Sequence, residues 1–111
     1  IIDNRTRNAS SDAQVIIEGG EFSVAGKAKN LFRNYPQQGG KATITIKGGL
    51  FKANPDSDLT YIWNQEAGSY EGRLNFLGGT FETGVVYEDY NGQSDITIAD
   101  GVNIGAYSGN N

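Results

Sequence analysis

The sequence predicts an all-β chain that winds as a single-stranded parallel β-solenoid of about four coils, with roughly 30 residues in each full coil and no significant helix. Three similar phrases support this prediction: VIIEGGEF at 15–22, ITIKGGLF at 44–51 and LNFLGGTF at 74–81. A second phrase keeps the same step, as IIDN at 1–4, LFRN at 31–34 and YIWN at 61–64. Because two independent phrases stay in phase, the repeat predicts one structural unit stacked on the next.

Each phrase alternates between apolar and polar residues, which is typical of a β-strand with one buried face. The side chains predicted to point inward are Val15, Ile17, Ile44, Ile46, Leu74, Phe76, Ile96 and Ile98. After each glycine corner, Phe22, Phe51 and Phe81 fall in register and predict an inward aromatic column. Glycine permits the positive φ or the close backbone approach that such corners need. Corresponding residues of successive coils then stack on one another, which explains why the sequence repeats itself.

A second inward column is predicted at the end of the first strand of each full coil, from Asn4, Asn34 and Asn64. Stacked asparagines share side-chain hydrogen bonds along the axis and satisfy backbone groups at a turn. In the fourth coil Glu88 takes this place, so the ladder is expected to end there. The alternative is that asparagine occurs here only as a common turn residue.

The whole chain is assigned to one solenoid domain, with coils at about 1–27, 28–59, 60–84 and 85–111. The last coil is shortened and degraded, with VVYE at 85–88 and ITIADG at 96–101. The chain starts on Ile1 rather than methionine, which favours a fragment or processed segment of a longer protein. An antiparallel β-sandwich or meander is the competing fold, but neither requires a repeat of this length.

Composition argues against several functional classes. The chain has a net charge of −4 and no cluster of lysine or arginine, which argues against nucleic acid or an anionic membrane as its main partner. It contains no cysteine and no histidine, so thiol chemistry and the commonest general base are lacking. No apolar run approaches the roughly 18 residues that cross a bilayer, so membrane insertion is not expected. No cofactor is expected.

With its GGEF, GGLF and GGTF corners, the sequence resembles the right-handed parallel β-helix proteins. The likeness is to glycine-rich GGTF-type coils in bacterial surface proteins and in fibres or tailspikes of their phages. The resemblance covers essentially the whole chain. It implies a right-handed coil and an extracellular, cell-surface or virion location. The motif is architectural and says little about chemistry.

The same group includes polysaccharide lyases and glycoside hydrolases, so the acidic residues are candidates for a catalytic set. A hydrolase requires two carboxylates about 5–10 Å apart. The candidates are Asp56, Asp58, Glu66, Glu71, Glu88 and Asp89. None recurs on a common strand face with an arginine or lysine in matching phase, so no catalytic residue is assigned. Asp56 and Asp58 could hold calcium, although two acids after a proline more often form a turn, and no metal site is assigned.

A functional surface is predicted on the outer face of the first strand of each coil. With Ile2, Phe32, Ile62 and Val86 inward, alternation places two columns outward: Ile1, Leu31, Tyr61 and Val85, then Asp3, Arg33, Trp63 and Tyr87. These columns are mostly apolar or aromatic, and such a stripe is typical of a partner surface. The candidate interface or glycan-binding residues are therefore Leu31, Arg33, Tyr61, Trp63 and Tyr87. Equally, a loop at 5–14 or 65–73 could cover the stripe.

These observations predict a non-enzymatic structural and binding segment of an extracellular or virion-associated fibre, which self-associates through the exposed apolar face. Lateral association as a trimer and end-to-end stacking into a filament both fit, and the lateral arrangement is slightly favoured. The alternatives are a fragment of a polysaccharide-degrading β-helix enzyme and a glycan-binding adhesin module. Tyr61 and Trp63 could stack on sugar rings or pack against a second chain, and the sequence does not separate these outcomes.

Overall fold

The computed structural model describes residues 2–8, 10–24, 31–36, 40–53, 60–65, 71–82, 85–90, 95–102 and 108–109. For residues 24, 53, 60, 61, 63–65, 71, 85–90 and 108–109 it describes the backbone alone. The strands are β1 Ile2–Arg5, β2 Asp12–Ile17, β3 Glu21–Val24, β4 Phe32–Tyr35, β5 Lys41–Ile46, β6 Leu50–Ala53, β7 Thr60–Gln65, β8 Glu71–Phe76, β9 Thr80–Phe81, β10 Val85–Tyr90, β11 Asp95–Ile98 and β12 Ser108–Gly109.

The strands form three separate sheets in which paired strands run parallel. The first sheet has the order β1-β4-β7-β10-β12, the second β11-β8-β5-β2 and the third β3-β6-β9. From β1 to β9, successive strands therefore belong to the first, second and third sheets in turn. We call β1–β3, β4–β6 and β7–β9 the first, second and third strand triplets. The described part of the chain contains no helix, so the prediction of an all-β chain is confirmed. Its parallel pairing shows that the antiparallel sandwich or meander is wrong.

The register of the sheets follows the sequence repeat. In the first sheet Ile2 pairs with Phe32 and Phe32 with Ile62, which gives two steps of 30 residues. Four of the predicted inward residues of the second sheet also lie side by side, in the row Val15, Ile44, Leu74 and Ile96. Ile98, which was also predicted to point inward, is 44% exposed on β11, an edge strand of this sheet. Phe32, Ile44 and Phe51, one from each sheet, are at most 1% exposed, so the core lies between the three sheets.

The predicted aromatic column runs along the inner side of the third sheet. Phe51 stacks on Phe22 with ring centroids 5.0 Å apart and planes 6° from parallel, and on Phe81 at 4.6 Å and 10°. Phe32 of the first sheet meets the Phe51 ring edge-on at 6.1 Å. Burying one such ring stabilises the fold by about 1.5–3 kcal/mol, and each aromatic pair adds about 0.5–1.5 kcal/mol. The predicted column is confirmed.

The glycine pairs at the corners between the second and third sheets meet two requirements. Gly49 has a φ of 122°, a backbone conformation that favours glycine. A Cβ atom on Gly48 would come within 2.8 Å of the Glu18 carbonyl oxygen, because the corners of successive triplets stack closely. One glycine therefore provides the turn and its neighbour provides the close approach.

The asparagine ladder joins the first sheet to the second. Asn34 is fully buried and Asn4 is 6% exposed. The Asn4 Nδ2 atom donates to Asn34 Oδ1 at 2.9 Å and to the Ala13 carbonyl oxygen at 3.0 Å, while Asn34 Nδ2 donates to the Ala42 carbonyl oxygen at 2.8 Å. Buried amides require such partners, and here each amide also holds a strand of the neighbouring sheet. The predicted ladder is confirmed for Asn4 and Asn34.

The residue that follows the asparagine column in β10 is not the predicted one. Asn64 pairs with Asn34 as expected. In β10, however, Asp89 rather than Glu88 pairs with Asn64. The acidic residue that follows the asparagine column is therefore Asp89.

The predicted columns of the first sheet are also wrong by one residue at β10. Tyr87, rather than Val86, pairs with Ile62, and Glu88, rather than Tyr87, pairs with Trp63. The cause is the step from β7 to β10, which is one residue longer than an alignment of VVYE with YIWN assumes.

Leu31 has an orientation opposite to its predicted one. It is 5% exposed and belongs to the hydrophobic core, whereas the sequence predicted it on the outer face. Leu31 lies in the bend before β4, which begins at Phe32, so the alternation of the strand does not extend to it. Leu31 is therefore a core residue.

Replacing Asn34 with alanine is expected to lower the free energy of unfolding by about 1–3 kcal/mol, because it removes buried hydrogen bonds to the Asn4 side chain and to the Ala42 carbonyl oxygen. Urea denaturation at an unchanged m-value measures the loss. Asn75→Ala is the matched control: Asn75 donates to Thr45 Oγ1 at 3.2 Å on an outer face, and its loss is expected to cost no more than about 0.5 kcal/mol. Equal losses in the two variants would contradict a structural role for the ladder.

Candidate functional site

The predicted functional surface is the outer face of the first sheet. Asn4, Phe32 and Asn34 point inward in β1 and β4, so alternation leaves other side chains on the outer side. These outer residues are Asp3, Arg5, Arg33 and Tyr35, and we call them the arginine–tyrosine cluster. The register places Arg33 beside Asp3 and Tyr35 beside Arg5.

An ion pair and two cation–π contacts hold the arginine–tyrosine cluster together. Arg5 Nη2 lies 2.7 Å from Asp3 Oδ2. The Arg5 guanidinium carbon lies 4.9 Å from the centre of the Tyr35 ring, and that of Arg33 lies 5.1 Å from it. A cation within about 6 Å of an aromatic ring contributes about 0.5–1 kcal/mol at an exposed site. This part of the face is thus charged and aromatic, whereas the side chains of Ile1, Tyr61, Trp63, Val85 and Tyr87, further members of the predicted stripe, lie outside the described part of the structure.

The five residues predicted for the interface occupy different positions. Arg33 lies in the arginine–tyrosine cluster, and Trp63 is in register with it in β7. Tyr61 lies in the same strand as Trp63, and Tyr87 lies in β10. The side chains of Tyr61, Trp63 and Tyr87 fall outside the described part of the structure. Leu31 is buried, so it does not contribute to an exposed surface.

The sequence-based prediction missed Arg5 and Tyr35. The residues from Arg5 onward were expected to form a loop, whereas β1 extends to Arg5 and β4 to Tyr35. The signal that could have found them is the same alternation, continued one step past the asparagine column from Asp3 and Arg33.

A groove on the outer face of the second sheet is a second candidate surface, with a volume of about 240 Å³. Its lining residues are Asp12, Gln14, Lys41, Thr43, Thr45, Arg73 and Asn75. They alternate with core residues along β2, β5 and β8 and form rows across the sheet. Arg73 Nη2 lies 3.1 Å from Asp95 Oδ2, at the edge of the groove. An all-polar lining suits hydrogen bonding to a ligand rich in hydroxyl or carboxylate groups.

The described lining of the groove does not hold two carboxylates, and the described residues hold no cluster of three or more candidate metal ligands. Within the described lining of the groove Asp12 is the sole carboxylate, whereas hydrolysis of a glycoside requires two. In the described ranges no three acidic side chains converge as metal ligands would. Of the acids considered from the sequence, Asp56, Asp58 and Glu66 lie outside the described residues, and only the backbone is described for Glu71, Glu88 and Asp89.

No helix in the described ranges is long and apolar enough to cross a membrane. Comparison with known proteins finds no match: no protein-family model fits the chain, and neither a curated protein nor a solved structure is significantly similar to it. Only the residues and geometry described above therefore bear on function.

Replacing Tyr35 with leucine is expected to lower the free energy of unfolding by about 1–2 kcal/mol, because both guanidinium groups lose the ring on which they lie. Thermal or urea unfolding measures the change. Tyr35→Phe is the control, since it keeps the ring and is expected to behave like the unmodified chain. If Tyr35→Phe lost as much stability as Tyr35→Leu, the cation–π contacts would not be the stabilising interaction.

Proposed function

We propose that this chain is a non-enzymatic structural and binding segment of an extracellular or virion-associated fibre. In this proposal each strand triplet is one coil of a single-stranded parallel β-solenoid, with about four coils of roughly 30 residues each. The main observation in support of the proposal is that identical residues of successive triplets stack on one another. Phe22, Phe51 and Phe81 form one such column, and Asn4 and Asn34 form another. Stacking of this kind lengthens a rod by repetition and leaves the outer faces for binding.

The strand order and the outer charges support the solenoid. Each strand of the first two triplets pairs with the strand three elements later, as expected when every turn of the chain lies on the one before. Ion pairs link successive coils on the outside, with Lys47 Nζ 3.9 Å from Glu18 Oε1 and Lys52 Nζ 3.2 Å from Glu21 Oε1. Exposed pairs contribute at most about 1 kcal/mol each, so the buried columns dominate the stability of the rod.

Copies of the chain are proposed to associate laterally through the outer face of the first sheet, as a trimer. Trp63 is in register with Arg33 and continues the row that passes through the arginine–tyrosine cluster. Tryptophan, tyrosine and arginine are the residue types that most often dominate binding at interface centres. Tyr61 and Tyr87 belong to strands of the same sheet, whereas Leu31 takes no part.

A glycan-binding adhesin module is the second candidate, because the groove on the second sheet has seven polar lining residues. Hydroxyl, amide and cationic side chains together can hold a polyhydroxyl ligand or an acidic sugar. A fragment of a polysaccharide-degrading enzyme would need a second carboxylate facing the groove beside Asp12. Incubation with acidic polysaccharides separates the two, since release of new reducing ends would favour the enzyme and binding without release would favour the adhesin.

Light scattering across a range of protein concentrations tests the proposed self-association. The unmodified chain is expected to have a stable mass of three chains. Trp63→Asp is expected to reduce the mass towards one chain while the circular dichroism of the β-strands is kept, because a carboxylate in an interface centre is costly to desolvate. Leu77→Asp is the matched control, since Leu77 is 48% exposed outside the first sheet and its replacement leaves the mass unchanged. A monomer at every concentration would contradict the self-association.

A further inference from the structure

We infer that the outer charges of the strand triplets determine which triplets pair with each other. In particular, the basic residues of the second triplet oppose its pairing with the second triplet of another chain. This selection acts while the chain folds, and it does not depend on lateral association through the first sheet.

The inward columns do not distinguish one triplet from another. Phe22, Phe51 and Phe81 are identical, and so are Asn4 and Asn34. These side chains would stack equally well between any two triplets, and a triplet matches its own copy in a second chain best of all. Identical β-segments of different chains readily stack in register, as they do in amyloid. Correct pairing therefore requires a signal outside the core.

The outer charges, by contrast, differ from one triplet to the next. Between positions 31 and 53 every charged residue is basic, and the four are Arg33, Lys41, Lys47 and Lys52. Each lies beside an acid of the first triplet, and these acids are, in the same order, Asp3, Asp12, Glu18 and Glu21. Opposite charges therefore favour the pairing of the first triplet with the second.

The third triplet continues this alternation on the other side of the second. Glu71 of β8 is in register with Lys41 of β5. The Glu82 N–H donates to the Phe51 carbonyl oxygen at 3.0 Å, which places Glu82 beside Lys52. Lys41 and Lys52 thus have an acidic residue on each side.

The arginines outside the second triplet are consistent with this pattern. Arg5 is in register with Tyr35, and Arg7 lies beyond the paired residues of β1. Arg73 forms an ion pair with Asp95 of β11 at 3.1 Å. In the described pairings, therefore, no two like charges are in register.

Incorrect pairings would bring like charges together. A second triplet paired in register with its own copy would place each lysine beside the same lysine of the other chain, on strands about 4.8 Å apart. A first triplet paired directly with a third would place Asp12 beside Glu71, because both are in register with Lys41. Like charges opposite each other on neighbouring strands are destabilising. The same outer residues thus favour the native order and oppose its alternatives.

Refolding of the full chain with Thr45→Cys under mild oxidation measures the opposed pairing. Thr45 lies on β5 between Ile16 and Asn75, and the chain has no cysteine of its own. If two second triplets pair in register, their two cysteines lie on neighbouring strands, close enough for a disulfide. Non-reducing electrophoresis gives the yield of disulfide-linked dimer, which is expected to be low.

Two neutralised forms of the Thr45→Cys protein separate repulsion from native stability. Lys41→Gln/Lys47→Gln/Lys52→Gln is expected to give roughly tenfold more linked dimer, because three repulsive contacts are removed from the incorrect pairing. The matched control is Asp12→Asn/Glu18→Gln/Glu21→Gln. It loses the same three native charge contacts but keeps the lysines, so its yield is expected to stay low.

Net charge and native stability predict different results from these. Removing three positive charges takes the net charge from −4 to −7, whereas removing three negative charges takes it to −1. General repulsion between chains would therefore give more dimer in the acid-neutralised control, and loss of native stability would give equal yields in the two forms. Either result, or an unchanged yield in the lysine-neutralised form, would overturn the inference. Because Thr45 lies on the second sheet, a failure here leaves the lateral association tested with Trp63→Asp unaffected.

Discussion

In-register parallel stacking is the constraint on which the rest of the structure depends. Each inward position must accept the same kind of side chain in successive triplets, because its neighbours above and below are the corresponding residues of other copies of the repeat. Phe51 stacks face to face between Phe22 and Phe81 for this reason, and Asn4 reaches Asn34. The glycine corners follow from the same constraint, since the backbones of successive corners come too close for a side chain at Gly48.

The division between inside and outside determines which side chains of this chain are exposed to a ligand or partner. Inward side chains must pack against the corresponding side chains of neighbouring triplets, so their residue types are restricted. Residue types therefore vary mainly on the outer faces and at the sheet edges. The first sheet presents the arginine–tyrosine cluster, and the second presents an all-polar groove. Each of these surfaces depends on register, because neighbouring strands bring together side chains about thirty positions apart in the sequence.

The sequence predicted the features that repeat and missed those that interrupt the repeat. The all-β class, the phenylalanine column and the Asn4–Asn34 ladder follow from phase and alternation alone. Leu31 was misplaced because alternation holds only within a strand, and Leu31 lies in a bend. The shift at Tyr87 comes from one additional residue between strands, which no single-strand pattern reveals. The contacts around Tyr35 depend on how two long arginine side chains lie across the sheet, which sequence spacing does not determine.

A cysteine pair across two strands tests in-register parallel stacking most directly. The chain has no cysteine of its own, so a disulfide within one chain of a variant with cysteines at positions 16 and 45 can only join these two positions. These residues are in register on β2 and β5, and strands about 4.8 Å apart are close enough for a disulfide. Mild oxidation of Ile16→Cys/Thr45→Cys is expected to form a disulfide within one chain, while Ile16→Cys/Asn75→Cys, two strands apart, stays reduced. No disulfide in the first variant, or equal oxidation of both, would contradict the stacking.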